Sequence, residues 1–390
     1  MAVDDINANE LVLQNYNLTY NWFDSKCHAG LSVFRMSERL SKDLPYTMVL
    51  GAGCSVASES TAQVSYLWNL TQLSFASTSP ALSDRKRYPR FFRIGIPDQK
   101  LNPSKLSLMR EFDWKKVATI NQAREFFSAV IDDFVKNTIN TDITILSQEI
   151  FVTNPYNRLL NLKKQDARII ITAMYEDKAR EMICAAYKIG FYGPKIVWIF
   201  NGWYTPTFWK INLETVDCTE VEMSLVVEGA FLTSSVYSNP IEERGIANLT
   251  VSEFFKLYRE HPTYTSSLED NVFLTPWCYD HVWAAALALN CTDATLVSSG
   301  HSKTLDLFTY TDSDISDMIF SCMTRTSLTG VSGRVVFSTG ADPDRLVKVE
   351  RIQDGARIKI ALYRQDKNPQ YFEWNAGALK WKGTYVESLR

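Results

Sequence analysis

The alternation of two periodicities constrains this chain more than any other feature. Short β-branched or apolar runs read as strands: Thr47 to Leu50, Thr71 to Phe75, Val117 to Ile120, Ile143 to Ile150, Ile169 to Met174 and Ile196 to Asn201. Between them Phe126, Phe127, Val130, Ile131 and Phe134 fall on one helical face, as do Ala179, Met182, Ile183, Ala186 and Tyr187. Strands separated by amphipathic helices pair by crossing over a sheet, so the pattern predicts βαβ units on a mainly parallel sheet. Both stripes are read as core faces.

At 390 residues the chain exceeds one ordinary core and suits two lobes. The stretch from Pro80 to Pro103, rich in Pro, Arg and Lys without clear period, reads as a long connection between two α/β units. A first lobe border falls near Asp113. After Phe231 the pattern turns to loop, then to a helix around Ser252 to His261 and a strongly apolar helix from Tyr279 to Leu289. Another helix opens at Asp312 to Asp314. Val335 to Phe337, Val347 to Ile352 and Ile358 to Tyr363 make a β-rich finish. No repeat or flexible linker interrupts the chain, which points to a compact two-lobe body with several chain crossings.

Composition narrows the function classes. A net charge of −3 and a pI near 5.9 leave no basic excess, so no nucleic-acid partner is expected. No apolar run approaches the roughly 20 residues of a membrane span. The start, Met-Ala-Val-Asp-Asp-Ile, lacks the basic and apolar regions of a secretory leader, yet acceptor sequons stand at Asn17, Asn69, Asn248 and Asn290 and have meaning only in a secreted chain. Cys27, Cys54, Cys184, Cys218, Cys278, Cys291 and Cys322 show no CxxC spacing and no nearby histidine, so they are disulfides or buried thiols, and neither metal nor cofactor is expected. His28, His261, His281 and His301 form no HExxH pattern, and neither a GxSxG elbow nor a Walker loop occurs, so the chain does not read as an enzyme. Asp4-Asp5 and Asp132-Asp133 read as solvated charged faces.

Ligands of open parallel sheets collect beyond the carboxyl ends of the strands. After Thr47 to Leu50 comes Gly51-Ala52-Gly53-Cys54-Ser55, where a helix opens; its amides and dipole favour an anion, and Ser55 adds a hydroxyl. Read alone, this is a tight turn with Ser55 as its N-cap. After Thr71 to Phe75 comes Ala76-Ser77-Thr78-Ser79-Pro80, a hydroxyl cluster suited to a carboxylate or to capping. Tyr175 follows one later strand, and Gly202-Trp203-Tyr204 follows another. Such aromatics stack on a ligand or pack in a core. Convergence of two polar loops from one α/β unit with two aromatic loops from the next raises the ligand reading.

The residues Trp68-Asn69-Leu70, Ser79-Pro80-Ala81-Leu82-Ser83, Phe91-Phe92-Arg93, Trp114-Lys115-Lys116-Val117-Ala118-Thr119-Ile120 and Asn161 through Ile170 resemble the GABA-B receptor ectodomain. So do Gly202-Trp203-Tyr204, Tyr279-Asp280 and Gly330-Val331-Ser332-Gly333, in the same order and across nearly the whole chain. The resemblance implies an α/β, bilobed, periplasmic-binding-protein-like (type I) Venus flytrap, with two parallel-sheet Rossmann-like lobes joined by several crossovers. It implies residues 1–113 with 236–328 as one lobe and 114–235 with 329–390 as the other. It further implies an extracellular position at the plasma membrane, membrane helices and a G protein beyond Arg390, a first strand upstream of Met1, and a receptor dimer partner on the first lobe. Cys27 with Cys54 and Cys184 with Cys218 are the implied disulfides. Asn248 is the expected glycan carrier, while Asn69 leads into a buried strand and stays bare.

Ser55, Thr78, Tyr175 and Trp203 fall at the family's agonist-pocket positions, and a small amino acid or related carboxylate is the implied ligand. Two departures put GABA itself in doubt: Gly95 and Leu274 stand where the agonist subunit has its carboxylate-binding histidine and ammonium-binding glutamate. Glu269 or Asp270 replaces that acid only if the loop shifts by a few residues. Leu274→Glu with Gly95→His is then expected to raise GABA affinity, and Ser55→Ala to weaken the ligand without affecting folding. On the helix from Leu31 to Ser41, Ser37 and Ser41 replace two tyrosines used for dimer contacts. A silent partner subunit and a soluble small-molecule-binding protein remain the alternatives.

Overall fold

A computed structural model describes residues 1–42, 45–337, 342–343 and 345–380. The chain forms two compact units, Met1–Pro97 with Val236–Arg345 and Asp98–Ser235 with Leu346–Arg390. The borders drawn from sequence stand at 113 and 328. The helix Asn102–Glu111 packs on the helix Glu125–Thr138, and the hairpin at 327–336 packs on the helix Thr275–Ser299, which places each within its unit.

The strands, in chain order, are β1 (Met48–Leu50), β2 (Thr71–Ser74), β3 (Phe91–Arg93), β4 (Lys116–Gln122), β5 (Thr144–Phe151), β6 (Ile169–Ala173) and β7 (Val197–Asn201). There follow β8 (Phe231–Ser235), β9 (Ser327–Gly330), β10 (Gly333–Val336), β11 (Val347–Gln353), β12 (Ala356–Arg364) and β13 (Tyr371–Trp374). In the first unit β1, β2 and β3 pair in parallel, with Met48 opposite Thr71 and Leu73 opposite Phe92. The long helix Thr275–Ser299 packs against this sheet and against the β9–β10 hairpin. Asp280 on that helix accepts hydrogen bonds from Val331 N (3.1 Å) and Ser332 N (2.7 Å) at the hairpin turn. A Cβ on Gly330 would stand 2.2 Å from the Asp280 carboxylate, so only glycine lets the turn sit on its acceptor.

The second unit carries an eight-stranded sheet in the order β13-β12-β11-β8-β7-β6-β4-β5. Strands β4 to β8 pair in parallel, and β11, β12 and β13 add an antiparallel edge. Alternate residues feed two cores: Ile120, Ile170, Trp198, Phe200 and Leu232 enter one, while Val117, Ile169, Ile171, Ile199 and Phe231 enter the other. A sheet covered on both faces favours apolar residues on both sides of each strand, which is why β6 and β7 read as nearly continuous apolar runs.

Four of these strands were absent from the sequence reading, β9 (Ser327–Gly330) and β13 (Tyr371–Trp374) among them. Phe91–Arg93 is β3, inside the stretch taken as a connection, and all three of its residues are buried. Phe231–Ser235 is β8, where a loop was expected; Thr233, Ser234 and Ser235 are polar yet buried between β7 and β11. The acidic pairs are also not purely solvated. Asp5 accepts from the Tyr279 hydroxyl (2.6 Å), and Asp133 from the Asn102 amide (2.7 Å).

Disulfides join Cys27 to Cys54 and Cys184 to Cys218, and a third joins Cys291 to Cys322. Cys278 remains a thiol, and burial pushes it up to about 12. Among the described residues no helix is long and apolar enough to cross a membrane, and no group of acidic, His or Cys side chains is arranged to hold a metal.

Candidate functional site

In the first unit the chain leaves β1 through Gly51, whose φ of +106° suits glycine, and enters the helix Ser55–Ser65. Cys54 takes the cap position, leaving Ser55 as the first helical residue. Its Oγ accepts from the backbone N–H of Thr78 and of Ser79, each at 3.1 Å, so the loop after β2 is tied to the helix start. A serine oxygen has two acceptor sites and one donor proton. The two amides fill the acceptors, and among the described residues nothing takes the proton.

The same loop is held from behind. Buried Ser77 Oγ lies 2.8 Å from Ser58 Oγ and 3.1 Å from the Ala52 carbonyl. Arg93, fully buried, donates to the carbonyls of Ser77 (3.2 Å) and Ser79 (2.7 Å) and pairs with Asp342 at 2.6 Å. Ser55 and Thr78 are thus brought together, with Thr78 half-buried. Ser55→Ala would strand two amides, which corrects the expectation that it leaves folding untouched.

Gly95 is packed against Trp277. A Cβ there would meet Trp277 Cζ3 at 2.7 Å, and the indole is 1% exposed. Tyr237 packs against the same indole, tilted by 52° with ring centroids 4.7 Å apart, and the Arg345 guanidinium lies over it at 5.3 Å. A histidine at 95 therefore requires Trp277 to move, which overturns the simple form of the Gly95→His expectation. Leu274, the residue before the helix Thr275–Ser299, is half-buried. Glu269 is engaged by Arg259 (2.8 Å) and Tyr264 (2.5 Å), and Asp270 lies outside the residues whose side chains are described. On the same helix, burial drives His281 down to about 4 and Asp280 up to about 6.

In the second unit Tyr175 caps the helix Glu176–Lys188 just beyond β6, and Trp203 sits in the turn after β7. The two rings meet edge-on at 6.2 Å, and Phe127 backs Tyr175 at 4.9 Å. The turn is braced by Tyr204, whose hydroxyl donates to the Met174 carbonyl (2.7 Å), and by Arg357, which donates to the carbonyls of Gly202 (2.7 Å) and Tyr204 (2.8 Å). Trp203 Nε1 donates to Asp98 at 3.0 Å. Sequence reasoning passed over Asp98, Arg93 and Trp277. Each serves a partner far along the chain, and no local pattern marks that.

Asn248 is exposed ahead of the helix Val251–Glu260. The Asn69 side-chain nitrogen, the atom a glycan would need, donates to the Tyr310 carbonyl at 2.8 Å.

A family model described as the receptor family ligand binding region matches residues 1–350. Gamma-aminobutyric acid type B receptor subunit 1 of Mus musculus is 37% identical over 372 residues, covering 94% of this chain and 38% of that protein. Subunit 1 of Caenorhabditis elegans is 32% identical over 383 residues, 98% of this chain and 41% of that protein. Subunit 2 of Homo sapiens is 30% identical over 368 residues, 93% of this chain and 38% of that protein. The chain thus spans about two fifths of the length of the curated relatives it matches. The matching family is one of ligand binding rather than catalysis. This chain belongs to the receptor family ligand-binding regions and is GABA-B receptor-like over most of its length.

Proposed function

We propose that this chain is the extracellular ligand-binding domain of a GABA-B-like, G-protein-coupled receptor at the plasma membrane, sensing a small amino acid or related carboxylate by closure of its lobes. Ser55 and Thr78 hold the carboxylate; Tyr175 and Trp203 cover the ligand. The observation that carries this reading is the valence of Ser55: with both acceptor sites filled by the Thr78 and Ser79 amides, its hydroxyl has only a proton to offer, which suits an anionic acceptor. Calorimetry with gamma-aminobutyric acid, glutamate and glycine tests it. Binding of one of them, weakened by Ser55→Ala, is the expected result, and no heat with any of the three counts against the reading.

A second reading, a silent partner subunit, is favoured by Gly95 and Leu274. Neither carries a charge, and the space beside Gly95 is filled by Trp277. A zwitterion needs a partner for each end, because an unpaired charge out of water costs several kcal/mol. Native protein is therefore expected to bind gamma-aminobutyric acid weakly or not at all. A receptor partner would dock on the first lobe, where Phe34, Tyr66 and Leu67 are exposed near a groove lined by Ser37, Ser41 and Trp68.

A further inference from the structure

Asp98 is the first residue of the second unit, directly after Pro97, and opens a short turn, Asp98–Leu101, that packs beside β8. Its side chain is 5% exposed. Burial of a carboxylate is unfavourable unless hydrogen bonds and a nearby cation compensate it. Trp203 Nε1 supplies a hydrogen bond at 3.0 Å. Lys105 supplies the cation: it is equally buried, its Nζ donates to Asn102 Oδ1 at 3.2 Å, and Asn102 in turn donates to Asp133. Burial pushes the Lys105 ammonium down to about 8, while Asp98 and then Asp133 oppose the shift.

The indole of Trp203 stands half-buried at the end of β7, against Tyr204 at 4.8 Å and Tyr175 at 6.2 Å. Edge contacts between rings tolerate an indole turned over about its second side-chain torsion; a hydrogen bond from Nε1 does not. Asn201 offers a competing acceptor. With its amide turned so that the nitrogen donates to the Thr172 carbonyl, its oxygen lies 3.2 Å from Nε1. The Asp98 contact is shorter, and an ionised acceptor makes the stronger bond.

We propose that Asp98 is a positioning residue for Trp203: its carboxylate selects the one indole orientation that presents the ring to a ligand at the end of β7. This rests on the reading that Trp203 contacts the ligand.

The test uses the whole domain with its tryptophan indoles labelled with nitrogen-15, and Trp203→Phe assigns the Trp203 resonance. Asp98→Ala is expected to shift that resonance strongly, Asp98→Asn to shift it less because one acceptor oxygen stays, and Asn201→Ala to leave it in place. If Asp98→Ala does not fold, Asp98→Asn still reports through the lost charge. A resonance that ignores both Asp98 variants, or moves only in Asn201→Ala, overturns the proposal. Calorimetry with gamma-aminobutyric acid, glutamate and glycine, read on whichever of them the native domain binds, supplies the second arm. Asp98→Ala and Trp203→Phe are each expected to weaken binding about tenfold, and the double variant no further. Native affinity in Asp98→Ala alongside a weakened Trp203→Phe also overturns it. Native affinity in Trp203→Phe, or no binding to the native domain, instead removes the ligand reading beneath it and with it the ligand role of Asp98. The resonance still decides whether Asp98 orients the ring.

Discussion

Two tryptophans show how differently the units treat the same side chain. Trp277 in the first unit is 1% exposed, its Nε1 has no hydrogen-bond partner among the described residues, and it is wedged among Gly95, Tyr237 and Arg345. Trp203 in the second unit is half-buried with its Nε1 on a carboxylate. The first is held by volume, which is indifferent to its polar atom. The second is held by direction, which is what recognition of a ligand needs. A ring that fills space stabilises the unit around it, whereas a half-buried, oriented ring leaves part of its surface outside the core.

The largest expected effect follows from that contrast. Trp277→Ala should destabilise its unit by about 3 to 5 kcal/mol, the usual range for emptying a buried tryptophan site, and Trp203→Ala by less. Equal losses in chemical denaturation would erase the distinction. Gly95→His should cost about 1 to 3 kcal/mol through overpacking, with no gain in affinity for gamma-aminobutyric acid while Trp277 stays in place.

The next effect sharpens the picture of Trp277's own helix, where two neighbours titrate in opposite senses. His281 has its folded value depressed from 6.5 to about 4, so its contribution is present above pH 6.5 and is lost as pH falls toward 4. Asp280 has its value raised from 3.8 to about 6, so protonation favours the folded state, and its contribution is lost as pH rises through 6. Each is worth roughly 3 kcal/mol, and over pH 4 to 6 the two largely cancel. Melting curves of the variants are therefore read relative to the native chain, in which lowered carboxylates such as Glu350 and Asp312 also lose stability toward pH 4. Asp280→Asn should expose a fall in stability toward pH 4, and His281→Leu a rise; parallel slopes in both variants would contradict the assignment.

Smaller again is Ser55→Ala, which should cost about 1 to 2 kcal/mol of stability through the stranded Thr78 and Ser79 amides. Ser55→Thr keeps the oxygen and should recover most of it. Thermal melts of the pair separate a lost acceptor from a lost helix start. Smallest is the glycan pair. Mass spectrometry of secreted protein should find Asn248 modified and Asn69 bare, and Asn248→Gln should change stability by under about 0.5 kcal/mol. Occupancy at Asn69 would mean that its bond to Tyr310 opens readily.

The sequence alone determined the α/β class, the strand ends at which Ser55, Thr78, Tyr175 and Trp203 sit, and, through resemblance, the family. Those features are local: period 2 against period 3.6 shows which face is apolar, and turn residues mark where a strand stops. The tertiary structure decided the rest. β8 is a central strand although it ends Thr233-Ser234-Ser235, because its neighbours β7 and β11 supply the backbone partners that its side chains do not announce. Asp5 and Asp133 look like surface charge until Tyr279 and Asn102 reach them. Gly95 looks like an empty position in a binding pocket, yet a residue 182 positions later fills it. Which group occupies a given space is a joint property of distant segments, and no window along one of them contains it.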